Sequence, residues 1–309
     1  MSLATILAVK PRHIAPGKVW FVTRRTTRRH FLFAPDREGK ILDMYWYVTA
    51  LIAQRFGIEV HAVQVLSTHI HEVLTDTQGM LPRFLEQRNR LLANVLKCFR
   101  GWPEEVFSRE GANCVELTSP EAIEKQIVYT LANCVEAGLV ETPNEWPGVR
   151  VLVEDIGCKT FAASRPTQYF TQNMPAEAAL KISFPQALLE KYGSLARSRE
   201  ALARALRTRI TSAKQAMISA GRSFKGVARV LCARFTSRSS TFEPFGARVP
   251  SFSAAGNKEA ARLAVAARRM FLDSYRSAFE AFRQGDRTAQ FPYGTWRMQF
   301  VAGTRVATA

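Results

Sequence analysis

The 309 residues carry 43 Lys and Arg against 26 Asp and Glu, a formal net charge of +17, and their 47% hydrophobic content can fill the cores of two domains. No apolar run approaches the roughly 18–20 residues needed to span a bilayer, and the start MSLATILAVKPRH is too short in its apolar part for a secretory signal. Five widely spaced cysteines (Cys98, Cys114, Cys134, Cys158, Cys232), with no CxxC among them, argue against a disulfide framework or a zinc knuckle. The expectation is a cytoplasmic protein with no membrane partner.

The charge is unevenly spread. Residues 1–150 hold 18 basic and 16 acidic side chains, whereas residues 151–309 hold 25 and 10. The second half is therefore a polycation and predicts a polyanionic partner, nucleic acid foremost.

In chain order, Val19-Trp-Phe-Val-Thr after Pro16-Gly17 reads as a first strand. It runs into Arg24, Arg25, Arg28 and Arg29, interleaved with threonines, a set suited to successive backbone phosphates. Apolar spacing from Arg37 to Phe56 predicts a helix ending at Gly57. Two strand runs follow, Glu59–Leu66 and His69–Leu74, meeting at Ser67-Thr68. On the second, His69 and His71 share one face, forming a bidentate metal platform or half of one, while Ile70 and Leu74 face the helices. Glu72 shares that inward parity, which suits it only at a strand's edge. Leu81 to Phe99 predicts a second helix, with Phe84, Leu91, Leu92, Val95 and Leu96 inward and Arg83, Arg88, Arg90 and Lys97 outward. Strand, helix, hairpin, helix is the pattern of a ferredoxin-like (RRM-like) α+β sandwich, an antiparallel sheet with helices on one face and the other face open for the histidines.

A short strand at Asn113–Leu117 precedes a further helix, whose start carries a Thr118/Glu121 capping box with Pro120 in the first turn. Ile123, Ile127, Leu131, Cys134 and Val135 cluster on one side of it, and Gln126, Tyr129 and Asn133 on the other. The helix stops at Gly138. Beyond, Leu188 to Ala220 reads as one basic helix with Arg197, Arg199, Arg204, Arg207, Arg209 and Lys214 along it. Arg222, Lys225 and Arg229 follow, with Phe224 and Phe235 interleaved for base stacking. Ser237 to Ala255 reads as a loop, and Lys258 to Arg283 as a last helix.

These pieces resemble a known family. Gly57-Ile58-Glu59-Val60, His69-Ile70-His71, Tyr129 to Asn133, Ala137-Gly138-Leu139-Val140 and Trp146-Pro147, in this order, look like the single-tyrosine HUH transposases, in the REP-associated branch related to the insertion-sequence-200 group. The resemblance covers residues 15–150, and Gly285-Asp286-Arg287 and Phe291 to Thr295 look like the tail of longer members. Two departures stand out: Thr68 and Cys134 replace the family's frequent Asn and Pro.

The resemblance implies an HUH nuclease domain over 15–150, followed by a basic, mainly helical DNA-binding region over 151–309. It implies a transposase that cleaves and rejoins single-stranded or hairpin DNA. Tyr129 would be the nucleophile, forming a 5′-phosphotyrosine adduct and a free 3′-hydroxyl. Mg²⁺ or Mn²⁺ would be held by His69, His71 and Asn133, with Gln126 near the phosphate or metal shell. Neutral phenol is a poor nucleophile and needs a polarised phosphate, which a divalent ion supplies. No small-molecule cofactor is called for, and the protein would act as a monomer or homodimer. The alternative is a DNA-binding regulator descended from such an enzyme, with cleavage lost or dispensable.

Overall fold

The computed structural model describes residues 11–240 and 250–308. The chain is α+β. Strands β1 (Lys18–Arg25), β2 (Ile58–Leu66), β3 (His69–Asp76), β4 (Asn113–Leu117) and β7 (Phe252–Ser253) form one sheet in the order β2-β3-β1-β4-β7. The first four are antiparallel, in the ferredoxin-like order; β7 adds parallel to β4. Part of the expected Ser237–Ala255 loop is thus a sheet edge, and residues 241–249 lie outside the described residues.

Helices α1 (Lys40–Phe56) and α2 (Leu81–Arg100) pack on the face bearing Ile70, Glu72 and Leu74. Asp36 opens α1, its carboxylate accepting from the backbone N–H groups of Glu38, Lys40 and Ile41. Gly57 closes α1 in the left-handed conformation (φ 60°), where a Cβ would be strained.

Two expectations fail on this face. Glu72 is not at an edge but in a central strand, and Arg88 is not turned outward. Both are fully buried. The Arg88 guanidinium grips both oxygens of Glu72, with Nη2 to Oε2 at 2.9 Å, and the Tyr45 hydroxyl donates to Oε1. Opposite charge brought in from a separate helix makes the inward carboxylate tolerable.

The other sheet face is not open either. Helix α3 (Pro120–Glu136) lies across it, running from the β4 side toward Leu66 of β2. Its N-cap is Ser119, whose hydroxyl accepts from Ala122 N at 3.1 Å; the expected Thr118 instead donates to the Ser253 carbonyl. The predicted Leu188–Ala220 helix is two, α4 (Gln186–Tyr192) and α5 (Leu195–Ser219), separated at left-handed Gly193 and restarted by a Ser194 cap. Helix α5 packs on α3.

The hairpin of β5 (Thr160–Ser164) and β6 (Glu177–Lys181) covers α1, with Phe161 stacked 4.1 Å from Trp46. Val151, Ile156, Leu180, Ile182, Leu188 and Leu202 join the core cluster that includes the residues of β1–β4. A short helix α6 (Gly226–Leu231) buries Val230 against Leu66, Cys134 and Trp146. Helix α7 (Lys258–Arg283) is not the last. It packs Phe282 with Phe291 of β8 (Gln290–Phe291) and Met298 of α8 (Arg297–Ala302), while β9 (Arg305–Val306) pairs with β8.

Candidate active site

The site forms where the β2–β3 hairpin meets α3. Leu66 pairs with His69, so Ser67-Thr68 is a two-residue turn. The Thr68 carbonyl accepts from the backbone N–H and the hydroxyl of Thr26, at 2.8 and 3.0 Å, so the departure at position 68 leaves the hairpin tied down. The Thr68 hydroxyl also meets His69 Nδ1 at 2.8 Å, and the Thr23 hydroxyl meets His71 Nδ1 at 3.0 Å. A threonine thus fixes each ring at Nδ1, which favours Nε2 as the ligating nitrogen of each.

The two rings stand edge to face, 4.5 Å between centroids. His71 stacks on Phe21 of β1 at 5.4 Å. It is 5% exposed, and burial, with His69 and Arg25 nearby, pushes its pKa well below the usual 6.5. A neutral imidazole at physiological pH is the form that ligates a metal.

Tyr129 of α3 lies edge-on to His71 at 5.4 Å and to Phe21 at 5.9 Å. The Arg209 guanidinium of α5 covers the phenol ring at 5.0 Å, itself held by Glu136 through Nε to Oε1 at 2.7 Å. Burial, then Glu136, raises the phenol's pKa above 10; Arg209, Asn133 and Arg25 oppose the rise. The hydroxyl is therefore protonated at neutral pH. Asn133, one turn on, is 7% exposed, and its Oδ1 is buried with no hydrogen-bond partner. Gln126 is half-buried and lines a small recess of about 250 Å³ with Lys125, Tyr129 and Arg209.

The chemistry of this donor set fits a divalent ion. Among the described residues no group of three or more His, Cys, Asp and Glu side chains could hold a metal. Two imidazoles need a third donor of another type, and Asn133 Oδ1 is a buried acceptor without a match.

The arginines divide. Arg25 pairs in register with His69 and lines the cleft beside Tyr129. Arg24 turns to the opposite face over Phe107, at 4.9 Å, and burial lowers its pKa. Arg28 and Arg29 occupy a turn in which both have positive φ (44° and 59°), held from outside by Ser239 N to the Arg29 carbonyl. Arg222, Lys225 and Arg229 are exposed beyond the C-terminal end of α3, where Lys225 N donates to the Gly138 carbonyl. Phe224 and Phe235 are packed against the core clusters rather than displayed for stacking.

Two further residues belong to the site although their sequence surroundings do not mark them. Arg209 stands out in the sequence only as one cation of a basic helix, because its partner Tyr129 is remote in the chain. Gln64 pairs across the hairpin with His71 on the same face, fully buried, with Nε2 and Oε1 both unmatched. Counting back from the Ser67-Thr68 turn is the signal that could have found this glutamine.

No family model and no curated protein matches this chain. Among solved structures it is similar to a REP-associated tyrosine transposase bound to a REP hairpin, with 15% identity over 48% of this chain and 85% of that one, at a TM-score of 0.38. It is also similar to a protein named as a transposase from Deinococcus radiodurans R1, with 18% identity over 35% of this chain and 84% of that one, at 0.28.

Proposed function

We propose that this chain is a single-tyrosine HUH transposase that cleaves and rejoins single-stranded or hairpin DNA. The observation that carries this reading is the phenol of Tyr129, 5.4 Å between ring centroids from His71 of the same chain, with the unmatched Oδ1 of Asn133 one helical turn on. The spacing supports use of Tyr129 within its own copy.

His69, His71 and Asn133 would hold Mg²⁺ or Mn²⁺, which when bound withdraws charge from the scissile phosphate. The residues do the rest. Tyr129 oxygen attacks phosphorus and loses its proton; the P–O3′ bond breaks, and the 3′-oxygen leaves as a hydroxyl after taking up a proton. The new O–P bond keeps the strand's 5′ end on the enzyme, and attack by another 3′-hydroxyl reverses the sequence without an external energy source. Arg209, over the phenol ring at 5.0 Å, helps to fix it and so restricts the hydroxyl's approach. Gln126, which shares a recess with Tyr129 and Arg209, would touch the phosphate's surroundings. The exposed cations Arg28, Arg222, Lys225 and Arg229 add attraction to the DNA backbone.

The test is incubation with labelled hairpin DNA and Mn²⁺, followed by denaturing gel analysis. An SDS-stable adduct is expected for the wild-type chain, absent in Tyr129→Phe and absent with EDTA. An undiminished adduct in Tyr129→Phe would move the nucleophile elsewhere. Tight binding without any adduct would favour the regulator.

A further inference from the structure

A cleft of about 1120 Å³ opens from Tyr129 and His71 along β1 and β4, and its far wall is the first half of α7. Ala260, Leu263, Ala264, Ala267 and Arg268 line it, a spacing that belongs to one helical face. Such an apolar face ordinarily buries itself, yet Leu263 is 58% exposed where it lines the cleft. The second half of α7 is anchored by Phe271, Ala278 and Phe282. Its start is tied to the start of the Tyr129 helix, since Asn257 caps α7 and donates to Glu121 at 3.3 Å, and Ser119 donates to the Ala254 carbonyl at 2.9 Å. The wall thus keeps a fixed position relative to the phenol.

The charged side chains of the lining are mostly cationic: Arg12, Lys18, Arg25 and Arg268 outnumber Glu110 and Glu116, and the pairing of Lys18 with Glu116 at 3.0 Å leaves three arginines against one glutamate. The geometry points to this cleft as the seat of the single strand flanking the cleaved phosphate, with its backbone on the arginines and its unpaired bases against the apolar stripe of α7. This rests on the function proposed above and adds to it a source of strand selectivity. A duplex hides the faces of its bases in stacking and offers phosphates and groove edges, so an apolar wall that packs on base faces rewards unpaired bases.

Val265 supplies an internal control. It is 55% exposed on the same helix but does not line the cleft. In the full chain carrying Tyr129→Phe, with EDTA present, binding of an unstructured labelled oligonucleotide of about twelve nucleotides would be followed by fluorescence anisotropy at fixed salt. Leu263→Glu should weaken binding about tenfold or more, whereas Val265→Glu should stay within about twofold, the two adding equal charge. A duplex of the same sequence should bind more weakly and respond equally to both substitutions. Equal effects of the two on the single strand, or none, would overturn the assignment. Both positions are exposed, so circular dichroism should be unchanged. If the side-dependent difference appears but wild type forms no adduct, the groove stands and the cleavage chemistry fails. An adduct with no such difference would leave the chemistry standing and remove the groove.

Discussion

Successive residues of β3 enter two environments that handle polar groups in opposite ways. Toward α1 and α2, Glu72 is met by Arg88 and Tyr45, so a buried charge finds its opposite. Toward α3, His69 and His71 face each other edge to face, and the amide groups of Gln64 and Asn133 include buried atoms with no partner. The first arrangement neutralises its charge within the protein, with Arg88 Nε alone of its polar atoms unmatched, and serves the fold. The second is left short of a counterpart, and an electrophile such as a metal-bound phosphate is what its donors would accept.

The contrast can be broken most severely at its finished side. Arg88→Ala should destabilise the protein by about 3–5 kcal/mol in urea unfolding, since Glu72 would stay buried without its opposite charge. Replacing both residues by methionine should recover most of that loss, and failure to recover would mean the pair does more than neutralise itself. Acid probes a group whose ring nitrogens are both bonded. His61 is completely buried between Thr75 and the Ser183 carbonyl, and burial pushes its pKa down to about 4. The unfolded chain, with histidine near 6.5, takes up the proton first as pH falls. Stability should be full above about 6.5, drop by about 3 kcal/mol through the window and level off below about 4. His61→Gln should flatten that part of the profile. The smallest effect belongs to the unfinished side. Asn133→Leu should leave metal-free stability unchanged or raise it by about 1 kcal/mol, because an unmatched acceptor disappears. Calorimetry should show Mn²⁺ affinity falling at least about tenfold, or about 1.4 kcal/mol. A marked loss of metal-free stability would make Asn133 a structural residue.

Much of this is legible in the sequence because it is local. Strand alternation places the two histidines together, the Ser67-Thr68 turn sets the hairpin register, and 3.6-residue periodicity aligns Tyr129 with Asn133. What stays hidden depends on partners distant in the chain. Nothing near Arg88 says that it will reach across to Glu72, so an arginine on an amphipathic helix reads as solvated. The covering of the histidine face by α3 follows from where that helix docks, which periodicity does not specify. The cap moves from Thr118 to Ser119 because Thr118 is claimed by Ser253, a residue of the added strand β7. The tetrad Arg24, Arg25, Arg28 and Arg29 looks uniform in sequence, but strand parity sends Arg24 and Arg25 to opposite sides.

The turn at Arg28 and Arg29 has a thermodynamic corollary. Two consecutive side-chain-bearing residues with left-handed backbones carry about 1–2 kcal/mol of steric penalty each, which glycine would avoid. The conformation persists because neighbours over-determine it, Phe31 and Ser239 bonding across to the 237–239 segment and the Arg29 carbonyl. The turn is therefore strained backbone latched from the polycationic half, and breaking those two backbone bonds would favour its relaxation.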